Sequence, residues 1–80
     1  MNTLKDTVDG MLSTDYKERF KAEYHQVRIR YNKLHTMVTH WDELNFIPMC
    51  DKEIYEKQLE AMLKYMLILS TRAEIENVEL

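Results

Sequence analysis

The segment Ala61-Met62-Leu63-Lys64-Tyr65-Met66-Leu67-Ile68-Leu69 decides how this chain must fold. Eight of its nine residues are apolar or aromatic, and only Lys64 interrupts the run. The run is too short to cross a bilayer, which needs about 20 apolar residues. A helix that is apolar on all sides has to be covered on all sides. Because a chain of 80 residues has few other residues to cover it, the segment predicts self-association.

A heptad pattern precedes this segment in the first half of the chain. Its apolar residues recur at alternating spacings of four and three, which is typical of a helix that packs along a seam. The members are Phe20, Tyr24, Val27, Tyr31, Leu34, Val38 and Trp41. The pattern predicts a first long helix over about residues 14–43, capped by Asp15 with Glu18 and ended by Asn45 and Pro48.

The second long helix is predicted over about residues 51–76, and it carries two apolar stripes. The stripe that can pair with the first helix consists of Tyr55, Leu59, Met62, Met66, Leu69 and Ala73. The other stripe consists of Ile54, Ala61, Tyr65, Ile68 and Ile75. A two-helix hairpin has only one internal face. We therefore predict that Ala61, Tyr65 and Ile68 form an oligomer interface, joined by Ile29 on the outer side of the first helix.

The remaining segments complete a single predicted domain over residues 1–80. Residues 1–12 indicate a short N-terminal helical arm with Thr3 and Asp6 as a capping box, although a frayed chain end is the alternative. The link over residues 43–50 is apolar, and we expect it to fold over the end of the bundle. The fold class is all-α: an antiparallel hairpin of two long helices with a short N-terminal arm, assembling into an oligomeric helical bundle.

Charge is distributed unevenly along the chain, whose net charge is −3. Residues 16–40 hold six cations and two anions, whereas residues 51–80 hold four cations and seven anions. The first long helix therefore offers a locally basic surface that suits an anionic ligand. The single cysteine, Cys50, and the lack of a leader or spanning segment lead us to expect a cytoplasmic protein with no membrane partner.

The residues that usually carry catalysis are poorly arranged for it. Cys50 has no histidine at a diagnostic spacing, and the three histidines His25, His35 and His40 do not share one helix face as metal ligands would. One glycine in the whole chain excludes a glycine-rich phosphate loop. We therefore expect no enzyme activity, no cofactor and no metal site.

One group of side chains points to a ligand. In an antiparallel hairpin, residues equally far from the turn lie at the same height, which brings guanidinium groups and phenols to one helix edge. Arginine forks grip phosphates and tyrosine rings stack on bases. The predicted ligand-binding residues are Arg28, Tyr31, Tyr65, Arg72, Tyr24 and Arg30. The alternative is that the tyrosines are seam residues and the arginines pair with glutamates of the acidic helix.

Four segments give the chain a family resemblance. They are Tyr16-Lys17-Glu18-Arg19, Lys33-Leu34-His35-Thr36-Met37-Val38, Phe46-Ile47-Pro48-Met49-Cys50, and the run from Gln58-Leu59-Glu60-Ala61-Met62 through Arg72-Ala73-Glu74-Ile75-Glu76. On these segments, over about residues 16–80, the chain resembles a family of small uncharacterised phage and prophage proteins named after a gene product of a gut crAss-like phage. The N-terminal arm lies outside the resemblance.

The resemblance implies a context rather than a set of site residues. Small accessory phage proteins often counter host immunity, which here means the cytoplasm of an infected or lysogenic bacterial host. The leading hypothesis is a non-enzymatic homo-oligomer that evades immunity by sequestering a small anionic nucleotide signal. The alternatives are an inhibitor that binds a host defence protein directly, as anti-CRISPR proteins do, and a purely structural oligomerisation module. Free nucleic acid is not an expected partner.

Overall fold

The computed structural model describes residues 2–80, which contain helices and no strand. A 3-10 turn at Lys5–Thr7 leads into α1 (Val8–Met11); α2 spans Tyr16–Thr39, a second 3-10 turn follows at Trp41–Glu43, and α3 spans Lys52–Glu76. The two long helices pack against each other. Phe20 near the start of α2 meets Leu69 near the end of α3, so the pair is antiparallel. The all-α prediction is confirmed, and Met1 of the predicted arm lies outside the described residues.

One predicted cap forms in full and another in half at the N-terminal ends of helical segments. At α2 only the Asp15 half forms, and Glu18 lies 3.6 Å from Lys21 instead. The Asp15 carboxylate accepts a hydrogen bond from the Lys17 backbone N–H at 2.9 Å, which satisfies one of the free amides of the first turn. In the arm, the Thr3 backbone N–H donates to the Asp6 carboxylate at 3.1 Å, and the Asp6 backbone N–H donates to the Thr3 hydroxyl at 3.3 Å. These reciprocal bonds are those of a capping box.

The first long helix ends earlier than the sequence predicts. It stops at Thr39, and Trp41 lies in the separate 3-10 turn, where its ring still contacts the Tyr55 ring of α3 at 5.9 Å. Thr36, Val38 and Thr39 are β-branched, which lowers helix propensity in this last turn. A tighter 3-10 turn is a common way to finish such a helix.

The second long helix ends at Glu76, as predicted. Asn77 adopts the left-handed conformation (φ 56°, ψ 45°). The Val78 N–H then donates to the Ala73 carbonyl at 2.8 Å, in the bonding pattern of a Schellman cap. Val78 is buried with Ala73, Leu69 and Phe20, so this cap also closes the main apolar cluster of the molecule.

The arm covers a second face of α2. Its 3-10 turn and α1 both pack on α2, and Thr7 is fully buried with its hydroxyl donating to the Leu4 carbonyl at 2.6 Å. The prediction that Ile29 lies on an outer surface is therefore wrong, since Ile29 is only 5% exposed. It shares a helix face with Ala22, seven residues earlier, which is also buried. In a bare two-helix hairpin α3 is the only neighbour of α2, whereas here the arm packs on α2 as well.

Two apolar surfaces remain uncovered. The stripe of α3 that we assigned to a partner is exposed in the single chain, with Ile68 59% exposed. The link between the long helices does not fold over the bundle, because Ile47 is 94% exposed and Met49 is 99% exposed. That prediction is wrong for most of the link, in which Leu44 is the half-buried apolar side chain.

The apolar cluster gives a direct stability prediction. Leu69 is 1% exposed, so Leu69→Ala should lower the free energy of unfolding by about 2–4 kcal/mol through lost burial and an internal cavity. Leu67, two residues earlier on the same helix, is 60% exposed, and Leu67→Ala should cost less than about 0.5 kcal/mol. Urea unfolding followed by circular dichroism measures both. Equal losses in the two variants would contradict this packing.

Candidate functional site

A groove runs along one face of the molecule, where the arm, α2 and α3 meet. It has a volume of about 380 Å³ and is lined by Leu4, Arg30, Lys33, Leu34, Met37, Gln58 and Met62. Four of these residues are apolar and make the floor, while two cations and one amide supply the polar groups. Small-molecule sites in proteins have this composition and begin at about 300 Å³. The groove suits a ligand with a flat apolar body and an anionic group.

A second depression lies further along the same face. Its volume is about 500 Å³, and its lining includes Met11 of the arm, Val27 of α2 and Tyr65 of α3. Arg19, Glu23 and Gln26 complete it. Tyr65 therefore lies on the face of α3 that carries the arm, as the groove does.

Arg72 belongs to this face as well. It follows Tyr65 by seven residues, two helical turns, so the two side chains share a side of α3. The Arg72 guanidinium lies 4.7 Å from the centre of the Phe20 ring, and its Nε donates to Glu76 at 2.9 Å. Arg72 is thus held by a cation–π contact and an ion pair, and it remains exposed.

The other predicted ligand residues lie on a different edge of the hairpin. Arg28 is about 200° around α2 from Arg30, because an α-helix turns about 100° per residue. Its Nε donates to His25 Nδ1 at 3.3 Å. Along the same edge, Tyr24 contacts the His25 ring at 5.4 Å and Tyr31 stacks on His35 at 5.6 Å. The structure therefore divides the six predicted residues into two groups: Arg30, Tyr65 and Arg72 on the arm's face, and Tyr24, Arg28 and Tyr31 on the opposite edge.

Sequence reasoning left most of the groove unassigned. Lys33, Leu34 and Met37 follow Arg30 at spacings of three, four and seven, which is the signature of one helix face. That signal was available in the sequence. Leu4 was not predictable as a groove residue, because its position depends on how the arm docks on α2.

The exposed stripe of α3 borders this face. Ile54, Ala61, Ile68 and Ile75 are exposed and lie seven residues apart, so they share one side of α3. Tyr65 is also exposed and lies four residues after Ala61, on the side that contains the second depression. The predicted oligomer interface and the arm-side ligand residues are therefore neighbours on one surface.

Other kinds of site find little support in the part of the chain that the structure describes. Between residues 2 and 80, no group of three histidine, cysteine or acidic side chains is placed to hold a metal ion. Cys50 is an exposed free thiol. Two ion pairs lie on the surface of α3: Lys57 with Glu53 at 3.5 Å, and Lys64 with Glu60 at 3.8 Å. None of the helices in this part is long and apolar enough to span a membrane.

The environment of His25 gives a pH prediction. Burial, and then the positive charge of Arg28, lower the pKa of His25 below its ordinary value of 6.5. Below that pH the unfolded chain binds a proton at His25 more readily than the folded chain does, so folding stability should fall as the pH falls. We expect His25→Gln to remove part of the loss of unfolding free energy between about pH 7 and pH 5.

Urea unfolding at several pH values measures this effect, and His40→Gln is the matched control. His40 is exposed at the end of α2, and its Nδ1 lies 2.9 Å from the Thr36 carbonyl. That control should keep the wild-type pH dependence. An unchanged pH dependence in His25→Gln would contradict the assignment.

Comparison with known proteins finds one family, and its match covers the two long helices. No curated protein and no solved structure gives a significant match to the chain. A family model, Sequestin, matches residues 14–75. The match begins just before α2 and ends one residue before the end of α3, so it covers the long-helix hairpin and leaves the arm outside. Because the matched segment is most of the chain, this protein belongs to the Sequestin family.

Proposed function

We propose that this protein is a non-enzymatic oligomer that binds and sequesters a small anionic nucleotide-derived immune signal. In this proposal it acts as a counter-defence protein of a phage or prophage, in the cytoplasm of the bacterial host. The single observation that carries the proposal is the groove, which places Arg30 and Lys33 over an apolar floor. A nucleotide needs those two elements, a surface for the base and cations for the phosphate.

The chemistry of the groove matches the parts of such a ligand. Leu34, Met37 and Met62 offer apolar surface on which a base or ribose can pack. Arg30 can bind two phosphate oxygens at once, and Lys33 adds a second positive charge three residues along the same face. The Gln58 side-chain amide can both donate and accept hydrogen bonds, as the edge of a base requires.

The lining favours retention of the ligand over its conversion. It contains no carboxylate, histidine, cysteine or hydroxyl, and Lys33 is the one lining side chain of a type that serves as a nucleophile or general base. Cations and apolar side chains bind a phosphorylated molecule without breaking it. The name of the family to which the chain belongs, Sequestin, agrees with a sequestering role.

Sequestration also requires enclosure, which explains the proposed oligomer. Binding sites for small molecules bury about 70–90% of the ligand surface. The groove of a single chain is open to solvent, and an exposed apolar stripe with Ala61 and Ile68 borders the same face. Burying that stripe against a second copy would also cover the groove.

Calorimetric titration tests the proposal. The protein is titrated with a panel of cyclic mononucleotides, cyclic dinucleotides and cyclic ADP-ribose isomers, and at least one should bind. Arg30→Ala should weaken that binding by about tenfold or more, the effect of losing a charged hydrogen-bond donor. Lys17→Ala removes an exposed cation at the start of α2, away from the groove, and should bind like the wild type. Absence of heat with the whole panel would overturn the proposal.

A second candidate function is direct inhibition of a host defence protein, and the exposed link supports it. Ile47 and Met49 protrude into solvent, and Leu12 of the arm is exposed as well. Protruding apolar side chains of this kind often mark protein-binding surfaces. A pull-down from host lysate should then recover a defence protein with the wild type and lose it with the double variant Ile47→Ser, Met49→Ser. Recovery of no defence protein would count against this candidate.

A further inference from the structure

We propose that the N-terminal arm, residues 2–12, is a clamp that docks on α2 and undocks from it while the hairpin stays folded. Docking of the arm completes the groove, and a ligand in the groove keeps the arm docked. Thr7 is the residue that positions the arm. The coupling to a ligand rests on the proposed function, whereas the undocking of the arm does not.

Both depressions on this face of the molecule have one wall from the arm. Leu4 lines the groove and Met11 lines the second depression, whereas all their other lining residues belong to α2 or α3. Undocking of the arm removes Leu4 and Met11 together. The complete groove, with its apolar wall beside Arg30, therefore exists only while the arm is docked.

Few buried side chains keep the arm in place. Among residues 2–12 only Thr7 is buried, at 0% exposure, whereas Met11 is 44% exposed and Leu12 is 77% exposed. The helical segments of the arm are three and four residues long, too short to be stable on their own. Segments with few buried contacts open at a much lower free energy than the core of the same protein. The arm should therefore undock far more often than the hairpin unfolds.

The hydrogen bonds near the arm divide at Ser13. Those of the Thr3 and Asp6 side chains join residues of the arm to each other. Ser13 is instead tied to the start of α2: its carbonyl accepts from Arg19 Nη1 at 3.0 Å, and its hydroxyl accepts from the Asp15 N–H at 3.0 Å. Undocking can therefore take place about Ser13 without breaking these bonds. The family match begins one residue later, at residue 14, and covers the hairpin.

Thr7 connects docking to the shape of the groove. Its side chain is fully buried, and a buried hydroxyl needs a hydrogen-bond partner. That partner is the Leu4 carbonyl, which accepts from the Thr7 hydroxyl at 2.6 Å and from the Thr7 backbone N–H at 3.1 Å. The residue that is buried when the arm docks therefore also fixes the turn that carries Leu4 to the groove.

Ligand binding and docking of the arm should favour each other. A ligand that contacts Leu4 as well as Arg30 and Met62 binds the docked form better than the undocked form. By linkage, the ligand must stabilise the docked form by the same factor. The apparent affinity then falls in proportion to the docked fraction. A substitution outside the groove can therefore weaken binding by undocking the arm.

Thiol labelling tests the undocking without any ligand. In a Cys50→Ser background, Ile29→Cys places a thiol under the arm and Leu59→Cys places one within the hairpin. The native residues are 5% and 8% exposed, so a thiol reagent reaches each site only when its cover opens. Ile29→Cys should react at least about tenfold faster than Leu59→Cys, because the arm opens more easily than the hairpin. Equal rates overturn the clamp, whatever the protein binds.

Substitution of Thr7 tests its role in the same assay. Thr7→Lys puts a long charged side chain at a fully buried position, so it should raise the labelling rate of Ile29→Cys by at least about tenfold. Circular dichroism should still show the helical hairpin. Leu12→Lys adds the same charge at an exposed position of the arm and should leave the rate within about twofold. Equal acceleration by both substitutions overturns the assignment of Thr7.

A nucleotide tests the coupling. The probe is adenosine monophosphate or, if it gives no heat in calorimetry, the nucleotide of the panel that binds most tightly. At saturation it should slow the labelling of Ile29→Cys by at least about threefold, and Thr7→Lys should weaken its binding by at least about tenfold. Binding that leaves the labelling rate unchanged overturns the coupling and leaves the proposed function standing. Absence of binding by the whole panel overturns the proposed function and the coupling, while the labelling rates at positions 29 and 59 still decide whether the arm undocks.

Discussion

The structure depends on one constraint: α3 (Lys52–Glu76) carries apolar side chains on more sides than the rest of the chain covers. The first long helix takes one side, where Leu69 and Ala73 are buried against Phe20. Ile54, Ile68 and the other stripe residues stay in contact with water. Exposed apolar surface of this kind on a small protein is a strong reason to associate. The groove lies at the edge of that surface, so the proposed assembly and the proposed ligand binding concern the same part of the molecule.

The arm links these features. By covering Ile29 and Ala22 it makes α2 a helix with two buried sides, and by contributing Leu4 it forms one wall of the groove. Leu4 of the arm lies outside the family match, whereas the other residues of the groove lie within it. The arm therefore supplies a wall to a groove that otherwise belongs to the matched hairpin. The cations of the groove, Arg30 and Lys33, belong to that hairpin.

Periodicity predicted the parts of the fold that local chemistry decides. The two long helices and the Asp15 cap follow from residue types at fixed spacings, and all are present. The docking of the arm was not predictable, because it depends on contacts between distant segments, and so Ile29 was misplaced. The six predicted ligand residues lie in two separate groups for a related reason. Height along a hairpin says which residues are level, but not which side of the helix each one occupies, and Arg28 and Arg30 lie on different sides.

Release of an intact ligand tests sequestration most directly. Protein is mixed with an equal amount of a nucleotide that binds in calorimetry, and the solution is passed through a membrane that retains protein. We expect the filtrate to contain little nucleotide before heating and nearly all of it, with unchanged mass, after heat denaturation. Free passage of the nucleotide through the membrane with native protein would show that the protein does not sequester it. So would a nucleotide of altered mass, since that would make the protein an enzyme.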